Sequence, residues 1–139
     1  MKKVFLASIC LTIITLNSFS QKDLQNCYHN INSDDFNLLI ETKEFILIDV
    51  RLTREFRKER LYNARLATSS ETLIPILKNQ DKNTFVLVYC EEGGRSKIAS
   101  QIICNDLGFK NVYNLKGGIK NWKTKAYPVD YSRIIAKQY

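Results

Sequence analysis

The sequence predicts an α/β domain built on a mostly parallel sheet. Short apolar runs alternate with amphipathic stretches along the chain, and two runs, 45–50 and 84–89, are continuous enough to be buried strands. A third observation is the loop 90–96, which leaves the second of these runs and leads straight into a helical pattern, placing a cysteine at the junction. Neither internal repeats nor low-complexity segments interrupt the alternation.

The first twenty residues read as a cleaved export signal rather than as part of the fold. Lys2 and Lys3 form a basic start, Val4 to Leu16 is apolar, and Ser18 and Ser20 supply the small residues needed before a cut ahead of Gln21. The apolar stretch is too short to span a bilayer, so no stable membrane anchor is expected. Cys10 follows Ile9, where a lipid-modified cysteine would want a small residue. The reading is an exported chain, periplasmic or secreted, divided into a signal (1–20), a lead segment (21–32), one domain (33–125) and a tail (126–139).

The elements follow in order. Ser33 is expected to cap a helix over Asp34 to Thr42, with Phe36, Leu39 and Ile40 on one face and two acids in the first turn. Phe45 to Val50 is a strand. Thr53 caps a short helix through Glu59, and Ala64 to Ala67 is a short strand. Ser69 or Ser70 opens a helix through about Lys78, in which Leu73, Ile74 and Leu77 recur at helical spacing and Pro75 must sit near the start. Thr84 to Tyr89 is the strongest strand, and the helix Lys97 to Leu107 is expected to bury Ile98, Ile102 and Leu107 and to end at Gly108. Asn111 to Leu115 is the last strand, followed by Gly117-Gly118 and a short helix carrying Trp122. After Pro128 the pattern fits either a helix or a disordered tail.

Charge and cysteine content narrow the function classes. The 139 residues carry a formal charge of +7, which falls to +5 when residues 1–20 are removed. The basic residues are densest from Arg51 to Arg65, but Glu55 and Glu59 interrupt them, the pattern of a solvated ion-paired face rather than of a nucleic-acid surface. Cys27, Cys90 and Cys104 remain after cleavage, an odd number that leaves at least one thiol free. A Cys27–Cys104 pair would spare Cys90, though spacing alone does not establish it. Left unpaired, Cys104 reads as a packing residue and Cys27 as the better redox partner. With no CxxC pair and one histidine, His29, which reads as a surface or capping residue, a metal site is not expected.

The chemistry concentrates in Cys90-Glu91-Glu92-Gly93-Gly94-Arg95-Ser96. The two glycines let the backbone turn tightly so that successive N–H groups converge, and a helix N-terminus adds partial positive charge. Together they favour a thiolate at Cys90, the reactive form of cysteine.

This loop resembles the active-site loop of the rhodanese family of sulfurtransferases, six residues from the catalytic cysteine to a basic residue. Ile48-Asp49-Val50-Arg51 with Glu55-Phe56, Ala99 with Leu107-Gly108-Phe109, Val112 to Leu115, and Lys116-Gly117-Gly118-Ile119 with Trp122 are similar to the family's other conserved stretches. One departure is Glu59-Arg60-Leu61-Tyr62-Asn63-Ala64, where the family usually carries Gly-His; Asn63 can adopt the left-handed turn in its place.

The resemblance implies a rhodanese-like domain, its sheet flanked by helices on both faces. It implies catalysis by Cys90, whose thiolate takes the outer sulfur of a small sulfane donor and passes it, as a persulfide, to a thiol or cyanide acceptor with no cofactor required; a thiol-redox protein is a further possible partner. Related phosphatases and arsenate reductases use a loop one residue longer, and rhodanese-like binding modules usually lack the cysteine. Glu91 through Ser96 are the persulfide-holding loop, with Asp49 and Arg51 in support. Arg95 either braces the loop, meets donor charge or pairs with a carboxylate such as Asp49. Ser96 reads as a helix N-cap whose hydroxyl also reaches the nest. Glu91 and Glu92 are expected to face outward and repel a dianionic donor such as thiosulfate.

Overall fold

A computed structural model of the chain describes residues 27–133, so the predicted signal, the first half of the lead segment and the end of the tail lie outside the described residues. Five strands form one sheet in the order β1-β5-β4-β2-β3: β1 (His29–Ile31), β2 (Phe45–Asp49), β3 (Arg65–Leu66), β4 (Phe85–Tyr89) and β5 (Asn111–Leu115). Every pairing is parallel.

The alternation of side chains along the central strands sorts the core into two layers. Ile48, Val86, Val88 and Val112 pack with Leu73 and Leu77 of α3 (Ser70–Leu77) and Ala99 of α4 (Gly94–Gln101). Leu47, Leu87, Tyr89 and Leu115 face the other way, onto Phe36 of α1 (Ser33–Thr42) and Ile119 and Trp122 of α5 (Gly118–Thr124). Adjacent residues of one strand thus feed opposite faces, which is why continuous apolar runs are needed. The short α2 (Thr53–Lys58) follows β2 and buries Phe56.

Several expectations are corrected. The first helix is capped by Asn32, whose side chain accepts the Asp35 N–H at 2.9 Å; Ser33 is its first residue and is buried. The short helix after β2 begins at Thr53 with Leu52 as its cap residue, the Leu52 N–H donating to Glu55 at 2.8 Å. Strand β1 lies in what the sequence reads as a lead segment: three residues pair with β5, and His29 stacks on Tyr113 with ring centroids 4.9 Å apart. The helix after the loop starts at Gly94, and its last turns, Ile102–Asp106, are π-helical. Ile98 is 63% exposed rather than buried. Asn63 does adopt the left-handed conformation, at φ 63°.

Two tethers fasten the ends of the described segment to the domain. Cys27 is disulfide-bonded to Cys104, leaving Cys90 as the free thiol among the described residues. Neither role for an unpaired Cys27 or Cys104 therefore applies. At the other end Asp130 forms an antiparallel bridge with Arg60, whose guanidinium also pairs with the Asp130 carboxylate. From residue 128 to 133 the tail holds no helix. No helix among the described residues is long and apolar enough to cross a membrane.

Candidate active site

Strand β4 delivers Cys90 to the carboxyl edge of the sheet, and α5 fixes how the loop leaves it. The carbonyls of Cys90 and Glu91 accept hydrogen bonds from the N–H groups of Ile119 (2.9 Å) and Lys120 (3.1 Å) at the start of α5. Because a trans peptide points its C=O and N–H in opposite directions, carbonyls turned toward α5 send the following N–H groups the other way. The close approach depends on Gly118: a Cβ there would overlap the backbone of Cys90 and Glu91. Gly93 completes the turn at φ 93° as the cap residue of α4.

The resulting nest holds the sulfur. The Cys90 Sγ accepts from the Gly93 N–H at 3.1 Å and from the Ser96 hydroxyl at 3.3 Å, and Cys90 is 1% exposed. Burial is the largest single influence on this thiol and pushes its pKa up. Hydrogen bonds from the Ser96 hydroxyl and from the amides of Ser96, Gly93 and Glu92 together outweigh it, so the thiol sits below its ordinary value. Ser96 lies inside α4 and is not its N-cap; its hydroxyl reaches the sulfur from the first turns of the helix.

The ionic groups around the nest pair differently from expectation. Arg51, 1% exposed, binds the buried Asp49 through Nε and Nη2, donates to the Glu59 carbonyl at 2.6 Å, and reaches Glu91 with Nη1 at 3.3 Å. Burial alone would lower its pKa; Asp49, Tyr89 and Glu91 raise it overall, so Arg51 stays charged. Arg95 does not meet Asp49 but forms a two-pronged pair with Glu55, at 2.9 and 3.1 Å. That pair holds the Glu55 carboxyl at about 2. Glu92 pairs with Lys120 at 2.8 Å on the surface. Both loop glutamates therefore carry counter-ions, and the repulsion of an anionic donor expected from their sequence is largely offset.

The structure places Gly93 and Ser96 within hydrogen-bond reach of Cys90 Sγ and Arg51 between Asp49 and Glu91, while sequence reasoning missed Glu55 and Gly118 as partners of the loop. Gly118 had a signal, since a Gly-Gly pair ahead of a helix marks a close backbone approach. The partner of Arg95 had none, because Glu55 is 40 residues away along the chain.

The rhodanese-like domain family model matches residues 32–125. The chain belongs to the rhodanese-like domain family. Among curated relatives of this rhodanese-like chain, the thiosulfate sulfurtransferase GlpE of Coxiella burnetii is 35% identical over 85 residues, covering 61% of this chain and 78% of that protein. A tRNA uridine(34) hydroxylase of Wigglesworthia glossinidia brevipalpis is 32% identical over 119 residues, 78% of this chain, and the chain spans only 37% of its length. Among solved structures, the rhodanese-like domain of an Anabaena protein superposes with a TM-score of 0.64 at 20% identity, covering 79% of this chain and 88% of that one. A rhodanese-related protein of Thermoplasma volcanium gives 0.60 at 26% identity, covering 76% and 100%.

Proposed function

We propose that this rhodanese-like chain is an exported sulfurtransferase that works through a persulfide on Cys90. The observation that carries the reading is the sulfur's own environment, with Gly93 N–H at 3.1 Å and the Ser96 hydroxyl at 3.3 Å. These donors stabilise the thiolate before attack and negative charge on the persulfide after it. In the first step Cys90 thiolate attacks the outer sulfur of a sulfane donor, the donor's S–S bond breaks, and its remaining group leaves with the electron pair. Thiosulfate is the donor in the Coxiella relative's name. In the second step an acceptor thiolate or cyanide attacks the outer sulfur of the persulfide, and Cys90 leaves as a thiolate back into the same hydrogen bonds. The sulfane sulfur moves without net oxidation, and the written steps call on no metal or organic cofactor.

Two features support export. The basic-then-apolar start fits a signal, and the Cys27–Cys104 disulfide suits an oxidising compartment. The test is intact-protein mass spectrometry of the mature chain after exposure to sulfane donors. A gain of one sulfur atom that disappears in Cys90→Ser supports the reading; no gain with any donor indicates a rhodanese-like binding module instead.

A further inference from the structure

Two recesses flank the loop, divided by the Arg95–Glu55 pair. One, about 250 Å³, lies between α3 and α4 and is walled mainly by apolar groups, with Arg95 at its rim. The other, about 240 Å³, is lined by Arg51, Glu55, Lys58, Glu59 and Glu91. The charged recess is the more informative because its lining charges are not equally committed. Glu55 is held by Arg95 and Glu59 by Lys123. Lys58 has no ion-pair partner among the described residues. Buried Arg51 has Nε and Nη2 occupied by Asp49, but its Nη1 meets only the half-exposed Glu91, at 3.3 Å.

Resting on the sulfurtransferase reading, we propose that this recess is the acceptor site for a small carboxylate-bearing thiol, whose carboxylate replaces that of Glu91 on Nη1 of Arg51. The group already seated on Nη1 is a carboxylate, so the position is shaped and charged for one. Glu91 is the group able to yield, because it is 40% exposed and adjoins Cys90, whereas Asp49 is wholly buried. Once Glu91 swings outward, Lys58 supplies the second positive charge, and the recess gains room for one anionic head next to the loop that carries Cys90. The thiolate of the seated acceptor, its proton already lost to solvent, attacks the outer sulfur of the Cys90 persulfide. The new S–S bond forms on the acceptor, the bond to Cys90 breaks, and the electron pair stays on Cys90 Sγ. Glu91 thus competes with the acceptor and sets its specificity.

Two measurements test this, one without sulfur transfer. Butyrate and butyramide are titrated into the full-length mature protein while the Nε–H signal of Arg51 is followed by NMR, in wild type and Glu91→Gln. In parallel, KM is measured for sulfur removal from the Cys90 persulfide by 3-mercaptopropionate and 3-mercaptopropionamide. In Glu91→Gln the preference for carboxylate over amide should rise about tenfold in both assays, the scale of one competing charge-assisted contact, and Lys58→Ala should reverse part of the gain. A preference unchanged or lowered in the butyrate titration overturns the acceptor site, whatever the activity. A persulfide that never forms while butyrate still discriminates overturns the sulfurtransferase reading and leaves the carboxylate position standing.

Discussion

Gly118, at φ 61°, lies so close to the backbone of Cys90 and Glu91 that a Cβ would overlap the carbonyl oxygens of both. The contact couples the start of α5 to the nucleophile, because the Ile119 and Lys120 N–H groups that orient the loop follow immediately. Gly118→Ala should therefore destabilise the domain by about 1–3 kcal/mol through strained backbone and overlap. It should also raise the Cys90 pKa by turning the loop amides off the sulfur. Denaturant unfolding combined with a thiolate absorbance titration checks both; lost stability with an unmoved thiol titration would show that α5 supports the fold but not the nest.

Ser96 makes a separable contribution to the thiol. Its hydroxyl donates to Sγ at 3.3 Å, and the thiolate accepts that bond more strongly than the thiol does. Ser96→Ala removes the donor, so the titration midpoint moves to higher pH and less thiolate is present at neutrality. The rate of persulfide formation at neutral pH should fall by about tenfold, the worth of one charge-assisted hydrogen bond. Stability should change far less than activity, and stopped-flow persulfide formation across pH should show the wild-type plateau displaced upward.

Arg51 is the element most costly to disturb. Asp49 and Arg51 are each essentially inaccessible to water, and Arg51 also ties the Glu59 carbonyl to the end of β2. Arg51→Ala leaves a buried carboxylate without its partner, which should cost about 3–5 kcal/mol. Arg51→Lys should recover part of this but not all, since an ammonium cannot satisfy Asp49, Glu59 and Glu91 in one planar fork. Chemical denaturation of the pair of variants measures the difference, and equal stability for all three proteins would contradict the assigned role.

Much of this architecture was legible because it is local. Phe45 to Asp49 and Phe85 to Tyr89 read as strands from continuous apolar runs, and Asn63 was matched to a left-handed turn by its side chain. What escaped was decided across the sheet. Strand β1 is three residues with little apolar character and exists because β5 offers it an edge. Ile98 fits the helical spacing of a buried residue, yet α4 turns it toward the groove beside Arg95, where it is exposed. Arg95 faces Glu55 rather than Asp49 because Arg51, two residues from Asp49, already occupies that carboxylate.

The Glu55–Arg95 pair predicts a specific pH response. Glu55 titrates at about 2 when folded against an ordinary 4.5, chiefly because Arg95 donates to it, so it contributes stability that is present above 4.5 and lost as pH falls toward 2. Glu55→Gln should accordingly be less stable than wild type at neutral pH and converge on it through that acid window. The pair is partly exposed and screened, so the neutral-pH difference should be no more than about 1 kcal/mol. Thermal unfolding of both proteins across acid pH checks the convergence, and a constant gap down to pH about 2 would locate the effect in packing rather than charge.

The Cys27–Cys104 disulfide gives the last prediction and bears on where the chain resides. It joins residues 77 apart in sequence, so in the chain-entropy view it restricts the unfolded state by about 4.5 kcal/mol. It also anchors the start of β1, an edge strand of three residues that among the described residues pairs only with β5. Cys104→Ser should therefore lower stability by roughly 2–4 kcal/mol and increase hydrogen exchange first in β1, while Cys90, on a separate loop, keeps its reactivity. In protein isolated without reductant, alkylation under denaturing conditions should label Cys90 but neither Cys27 nor Cys104, and those two only after reduction. Labelling of all three without reductant would remove the disulfide and, with it, the structural argument for an oxidising compartment.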